Sequence, residues 1–561
     1  MHFFRSSTRS LVVLLLVATC SVTVLRAQSI TFTNPILQGF YPDPSIVRAG
    51  NDYYLVNSTF SYFPGLPIFH SKDLKNWKQI GNAIDRPSQM QFLKQGTTRG
   101  LFAPGISFHN GTFYLACTNI DDGGNFVITA TNPAGPWSDP VWLKDVRGID
   151  PSVHFIDDKA YIIYNSDPPE HKSLYPGHRT IRMYEFDPVA LKVVGEEKIL
   201  VNGGVDISKK PVWIEGPHLL QRNGWYYLSA AEGGTSVNHS QVVFRSKSVW
   251  GPYVPYEKNP ILTQRGLPDN RKDPVTSTGH AQFVDGPDGN TYAIFLACRP
   301  YEGDYYNTGR ETFIAPVQWK DEWPVINPDH TEVQYQYTAR FPEVKQAGAL
   351  PQSGNFSYTV QFAKSWDPSL LYLRSVDSHA FKRDKKGLSL LLKPATVQEM
   401  GVPSFVGKRQ QHLYASAETE LRFAAAAEHE KAGFMVYQAE NHFYYLCQSV
   451  AAGKPVLQLY KGRKGEEMQL LASQELVGKP GAVQLKIDAK GGTYDFSYAV
   501  KKGEWKLLQG GVDAKYVSTR TAGGFTGCFF ALYATSLGKP STSWAQYAYL
   551  RYSGNDPMYN K

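Results

Sequence analysis

The sequence predicts an all-β chain of two domains, a five-bladed β-propeller followed by a β-sandwich, and three observations support this. A strand-turn-strand unit recurs five times between residues 39 and 298. The last third of the chain is a series of short strands, several alternating apolar and polar, separated by turns. Almost no segment sustains a helical period, and Ala424 to Lys431 offers two turns at most.

Residues 1–27 read as an address rather than as structure. Arg5 and Arg9 precede an apolar run from Leu11 to Val17 that weakens toward Leu25, and Ala27 offers a small residue for cleavage before Gln28. Secretion, or release to a periplasm, is the expectation. A lipid anchor at Cys20 is the lesser alternative, because Thr19 is a poor residue immediately before such a cut. No other stretch approaches the ~20 apolar residues of a membrane span.

The first repeat unit is Gly39-Phe40-Tyr41-Pro42-Asp43-Pro44-Ser45-Ile46-Val47, followed by the turn Ala49-Gly50-Asn51-Asp52 and the strand Tyr53-Tyr54-Leu55-Val56. Its copies begin at Ala103-Pro104, Asp150-Pro151, Gly216-Pro217 and Gly279-His280. With Pro44, Pro104, Pro151, Pro217 and His280 as phase marks, the spacings are 60, 47, 66 and 63 residues. Each interval holds about four short strands, which is the content of one propeller blade. The propeller is assigned to residues 28–340. A Pro-rich stretch and the connector 341–355 follow, with Lys345 to Asn355 turn-like in composition. From 356 to 561 the strands Leu388–Leu392, Leu413–Leu421, Phe434–Tyr437, Phe443–Leu446, Val456–Tyr460, Val483–Ile487 and Phe529–Tyr533 read as the sandwich.

The formal charge of +8 falls to +5 without Arg5, Arg9 and Arg26, and no block of five like charges occurs. A mild, dispersed excess argues against a nucleic-acid partner. Cys117, Cys298, Cys447 and Cys528 show no metal or redox spacing and read as buried thiols. Asp121–Asn125 and Asp285–Asn290 lack the closing Glu of a calcium hand and read as turns. No phosphate-cradling glycine loop and no nucleophile elbow is present.

Acidic residues stand at the phase marks. Asp43 and Asp150 immediately precede their prolines, and Glu215 stands two residues before Pro217. Alone, an Asp-Pro pair is a turn starter. Three carboxylates on the first, third and fourth units, with His70-Ser71-Lys72-Asp73-Leu74-Lys75-Asn76-Trp77, Gly279-His280-Ala281 and Gly309-Arg310-Glu311-Thr312, carry more. Through these residues the first domain resembles glycoside hydrolase family 43. Through Gly407–His412 and Gly524–Gly527 the second resembles the concanavalin-like C-terminal domain of that family's β-xylosidase and α-L-arabinofuranosidase branch.

The resemblance implies inverting hydrolysis, in which one carboxylic acid protonates the leaving oxygen and one carboxylate activates water. It implies Asp43 as general base, Glu215 as general acid, and Asp150 as the residue that orients Glu215 and raises its pKa. Arg310 would hydrogen-bond sugar hydroxyls, His280 would lie at the cavity floor, Phe60 and Phe102 would wall the terminal sugar site, and the loop of Phe525 would close it from the sandwich. Phe102 stands where close relatives often have Trp, which leaves the pocket width open. No cofactor is implied, although an axial calcium beside His280 stays open. The implied partner is an oligosaccharide or polysaccharide from plant cell walls, and nothing in the sequence sets an oligomeric state. An exo-acting enzyme releasing xylose or arabinofuranose is the leading reading. An endo-acting xylanase or arabinanase and a non-catalytic carbohydrate-binding propeller are the alternatives.

Overall fold

The structure is a computed structural model that describes residues 29–560 except 464, 479 and 480, together with His2. Apart from His2, the expected export segment lies outside the described residues, Cys20 included. The described chain is all-β, and its one α-helix among the described residues is the single turn Thr519–Ala522.

Residues 45–326 form five successive four-stranded antiparallel sheets, the fourth with one extra short strand. Their opening hairpins are Ser45–Ala49 with Asp52–Val56, Gly105–His109 with Thr112–Asn119, Ile149–Ile156 with Lys159–Ser166, Glu215–Arg222 with Trp225–Glu232, and Thr276–Asp285 with Thr291–Cys298. All five predicted hairpins are therefore present. The first strand of each sheet touches the first strand of the next, and that of the fifth touches that of the first, so the five starts surround one axis. The strand Ile30–Thr33 pairs with Gln336–Ala339 and so joins the beginning of this domain to its end.

Three of the first strands break register where they face the axis. The pairing skips between Ile149 and Ser152, between Glu215 and His218, and between Thr276, Gly279 and Gln282. Such bulges re-aim side chains at the end of a strand. The equivalent residues Asp43, Asp150, Gly216 and His280 all have left-handed backbones, with φ of 49°, 55°, 57° and 57°. Three of them precede proline, whose ring restricts the preceding residue. Backbone strain of this kind concentrates at functional sites.

The connector is strapped to the first domain rather than free. Gln346 Nε2 donates to His70 O and Asn76 O at 2.7 Å, and Ser353 Oγ donates to Thr33 O at 2.6 Å. Asp73, in the His70–Trp77 motif, accepts from the backbone N–H groups of Lys75, Asn76 and Val344, so this motif holds a turn and the connector together.

The second domain is a sandwich of an eight-stranded and a six-stranded antiparallel sheet. Its core includes Leu390, Ala417, Leu421, Phe434, Val436, Leu485, Phe496, Phe530 and Leu532. The six-stranded sheet is apolar on both faces. Phe434, Val436, Phe530 and Leu532 point into the sandwich, while Met435, Tyr437, Phe529, Ala531 and Tyr533 pack with Phe40, Phe60 and Tyr62 of the first domain. Alternate residues of a strand face opposite sides, so these uninterrupted apolar runs are strands buried twice. Tyr62–Phe63 also pairs with Tyr372–Leu373 across the interface. Residues 424–430 form a loop, not the helix allowed by the sequence. Two turns are too short to nucleate alone, and Glu430 instead accepts from Ala426 N and from the Ser541 and Ser543 hydroxyls.

Candidate active site

The axial cavity has a volume of about 270 Å³ and is lined by Asp43, Phe60, Phe102, Asp150, Trp213, Glu215, His280, Arg310 and Phe525, among others. All eight site residues expected from the sequence are thus brought to one place.

Asp43 is held from two sides. Ser58 Oγ donates to its Oδ2 at 2.5 Å, Arg310 Nη1 donates to Oδ1 at 2.9 Å, and Arg310 Nη2 reaches Oδ2 at 3.4 Å. The guanidinium that the resemblance assigned to sugar hydroxyls is therefore turned first toward Asp43, and only its Nε lacks a protein partner.

Glu215 stands one residue before the position equivalent to Asp43 and Asp150, and Gly216 explains the offset. A Cβ on Gly216 would lie 2.5 Å from His280 Nε2. The ring of His280 occupies the space that a side chain at 216 would need, so the carboxylate comes from the preceding residue. Asp150 joins these groups, accepting from Gly216 N at 3.1 Å and lying 3.6 Å from His280 Nε2.

The electrostatics follow from this crowding. Burial, and then the negative charge of Asp150, push the Glu215 carboxyl up to about 8, with Asp43 adding to the effect and His280 and Arg310 opposing it. Burial disfavours the His280 cation, but Asp150, Asp43 and Glu215 together outweigh it and raise the imidazole to about 9. A carboxylic acid that keeps its proton at neutral pH therefore faces a carboxylate clamped by Arg310 and Ser58. This is the pairing that general acid and general base chemistry requires.

Part of the cavity wall is aromatic. Phe60 stacks on Phe525 with centroids 5.7 Å apart, and Phe102 meets both edge-on at 5.5 and 5.9 Å. The Arg310 guanidinium lies 5.5 Å from the Phe525 ring. Phe525 comes from the sandwich, and its approach depends on glycine on both sides of the interface. A Cβ on Gly309 would meet Gly527 Cα at 2.9 Å, and one on Gly527 would meet Gly309 N at 2.7 Å.

A buried ionic cluster fixes this contact. Arg299 Nε donates to Glu311 Oε2 at 2.6 Å and Nη1 to Asp556 Oδ2 at 2.7 Å, while Glu311 Oε1 accepts from Gly39 N at 2.6 Å. The cluster links the last residues of the chain to both the Asp43 loop and the strand behind Arg310.

Sequence reasoning missed Ser58, Trp213, Val212, Gly234 and Thr235. Trp213 was within reach, two residues before Glu215. Ser58 and the 234–235 loop carry no local signal. Around His280 the polar atoms without a protein partner are His280 Nδ1, His239 Nε2, His218 Nδ1 and the Ser277 and Thr278 hydroxyls. Among the described residues, no three or more His, Cys, Asp or Glu side chains are grouped to hold a metal. Cys117, Cys298, Cys447 and Cys528 are buried and unpaired.

Fold and cavity together define a glycosidase. The sequence matches Glycosyl hydrolases family 43 over residues 32–324 and the Beta xylosidase C-terminal Concanavalin A-like domain over residues 360–553. It is 38% identical to a xylosidase/arabinosidase of Butyrivibrio fibrisolvens over 92% of this chain and 98% of that one. It is 35% identical to a non-reducing end alpha-L-arabinofuranosidase of Bacteroides ovatus over 95% and 97%. Among solved structures, a GH43_12 protein retrieved from a capybara gut metagenome is similar with a TM-score of 0.83 and 39% identity, covering 91% of this chain and 95% of that one. The chain belongs to glycoside hydrolase family 43.

Proposed function

We propose that this protein is an inverting exo-glycosidase that removes terminal pentose residues, β-D-xylosyl or α-L-arabinofuranosyl, from plant cell-wall oligosaccharides or polysaccharides. The observation that carries the reading is one small cavity, walled in part by Phe525, that is lined both by Glu215, whose burial beside Asp150 pushes its pKa up to about 8, and by Asp43, clamped by Arg310. Asp43 activates water, Glu215 protonates the leaving oxygen, and Asp150 keeps Glu215 protonated and oriented. Phe60, Phe102 and Phe525 hold the apolar faces of the terminal sugar. A wall contributed by the second domain favours attack at a chain end over an open endo-acting groove. The five sheets are read as the five blades of a propeller, supported by the cyclic contact of their first strands. Residues 1–27 are read as an export signal, placing the enzyme outside the cytoplasm.

Two of the relatives, a xylosidase/arabinosidase and a non-reducing end alpha-L-arabinofuranosidase, make both pentoses the substrates to compare. The test is hydrolysis of paired aryl β-xyloside and aryl α-L-arabinofuranoside, with the released sugar followed by NMR at early times. The first product should carry inverted anomeric configuration. Net retention, or hydrolysis of neither glycoside, would refute the reading.

A further inference from the structure

The chain running into Glu215 passes from solvent to the cavity floor. Val212 is 46% exposed, Trp213 is partly buried, and Ile214 and Glu215 are buried. Trp213, Val212, Gly234 and Thr235 line the cavity on the side of the fourth sheet, whereas the Phe60, Phe102 and Phe525 box lines it elsewhere.

The Trp213 ring is held firmly. Its backbone has φ 59°, a conformation in which a bulky residue is uncommon. Trp213 N donates to Gly177 O at 2.8 Å, and Asn165 Nδ2 donates to Ile214 O. The Arg179 guanidinium stacks on the indole at 4.6 Å and is itself tied to Asn165 Oδ1 at 3.1 and 2.9 Å and paired with Asp167. One indole face is therefore covered by a fixed cation, while the ring still borders the cavity between Glu215 and solvent.

An acid that protonates the leaving oxygen has the leaving group beside it. The aromatic box and Arg310 hold the terminal pentose that water attacks, so the leaving group must extend past Glu215 toward the mouth. We propose that Trp213 is the leaving-group platform. The ring following the cleaved bond stacks on the indole face opposite Arg179, and this contact sets which sugar the enzyme accepts beneath the terminal pentose. The inference rests on the pentosidase reading above. Binding energy from such a non-reacting part of the substrate is realised as kcat/KM.

The test compares the wild-type chain with Trp213→Leu, which keeps bulk without a flat face, and Trp213→Phe, which keeps the face. Three substrates share one pentose and anomer: a disaccharide, a nitrophenyl glycoside and a glycosyl fluoride. The nitrophenyl group offers a ring but needs little acid assistance, and the fluoride offers no ring. Trp213→Leu should lose about tenfold in kcat/KM on both ring-bearing substrates, equivalent to ~1.4 kcal/mol, and stay within about twofold on the fluoride. Trp213→Phe should recover to within about threefold of wild type. An equal loss on the fluoride would make Trp213 framework. A loss on the disaccharide alone would mean only a displaced Glu215. No loss on any substrate would leave it without a role. Each of these overturns the proposal while leaving the function standing. A wild-type chain inactive on all three, for both pentoses, overturns both.

Discussion

Replacing Asp150 by Asn removes one negative charge beside Glu215 while keeping an oxygen acceptor for Gly216 N, which now donates to Asp150 Oδ2 at 3.1 Å. After burial, Asp150 is the largest cause of the raised Glu215 pKa. A unit charge ~6 Å away across an effective dielectric of ~20 is worth about 3 kcal/mol, or about two pH units. His280 moves the other way, because loss of Asp150 favours its neutral form and so removes a cation that lowers Glu215. That contribution is smaller than the one from Asp150. The net shift is therefore downward by about 1–2 units.

With Glu215 as the proposed general acid, activity on a sugar-sugar bond should be present below its pKa and lost as pH rises through about 8. In Asp150→Asn the alkaline limb of kcat/KM should move to roughly pH 6–7. Well above both limbs the deficit should reach ~10–100-fold, one decade per unit of pKa. The assay is a pH profile of kcat/KM on an oligosaccharide, repeated on a nitrophenyl glycoside as the control that needs little acid. An alkaline limb that stays in place or moves upward would refute the electrostatic account of Asp150.

Other expectations follow from the same geometry. Glu215→Ala should lose ~10²–10⁴-fold on an oligosaccharide and far less on the nitrophenyl glycoside, whereas Asp43→Ala should lose that much on both; parallel losses, compared in kcat/KM, would exchange or cancel the roles. Phe525→Ala opens the aromatic wall, and the released pentose should inhibit about tenfold more weakly while the urea midpoint changes little; an unchanged inhibition constant would confine Phe525 to packing. Asp556→Ala strips one carboxylate from buried Arg299 but leaves Glu311 facing it, so stability should fall by about 2–3 kcal/mol, below the ~3–5 expected for a fully stripped ion. Urea denaturation measures this, and a loss under 1 kcal/mol would mean that the cluster contributes no net stability.

Much of the site was legible because it is built from a repeat. Asp43 and Asp150 occupy the same phase of their units, His280 shares their left-handed backbone one position later, and a local turn chemistry repeated along the chain converges wherever the units are arranged around an axis. The strands were legible for a similar reason. Alternation of side chains is a local property, so Leu413–Leu421 and Phe529–Tyr533 read as strands, while the structure showed that the second of them is buried on both faces. Tertiary structure alone decided what those residues meet. Arg310 and Asp43 are 267 positions apart, and Arg299 and Asp556 are 257 apart, so no local pattern encodes either pair. The one-residue offset of Glu215 makes physical sense only once the His280 ring, from another sheet, is seen to fill the space over Gly216. Trp213 stands two residues before Glu215 in the sequence, but only the structure shows Arg179 over one face of its ring and the cavity beside it. Secondary structure follows from neighbours in the chain, whereas the pKa of Glu215 follows from neighbours in space, Asp150, Asp43, His280 and Arg310, which different sheets bring to one buried cavity.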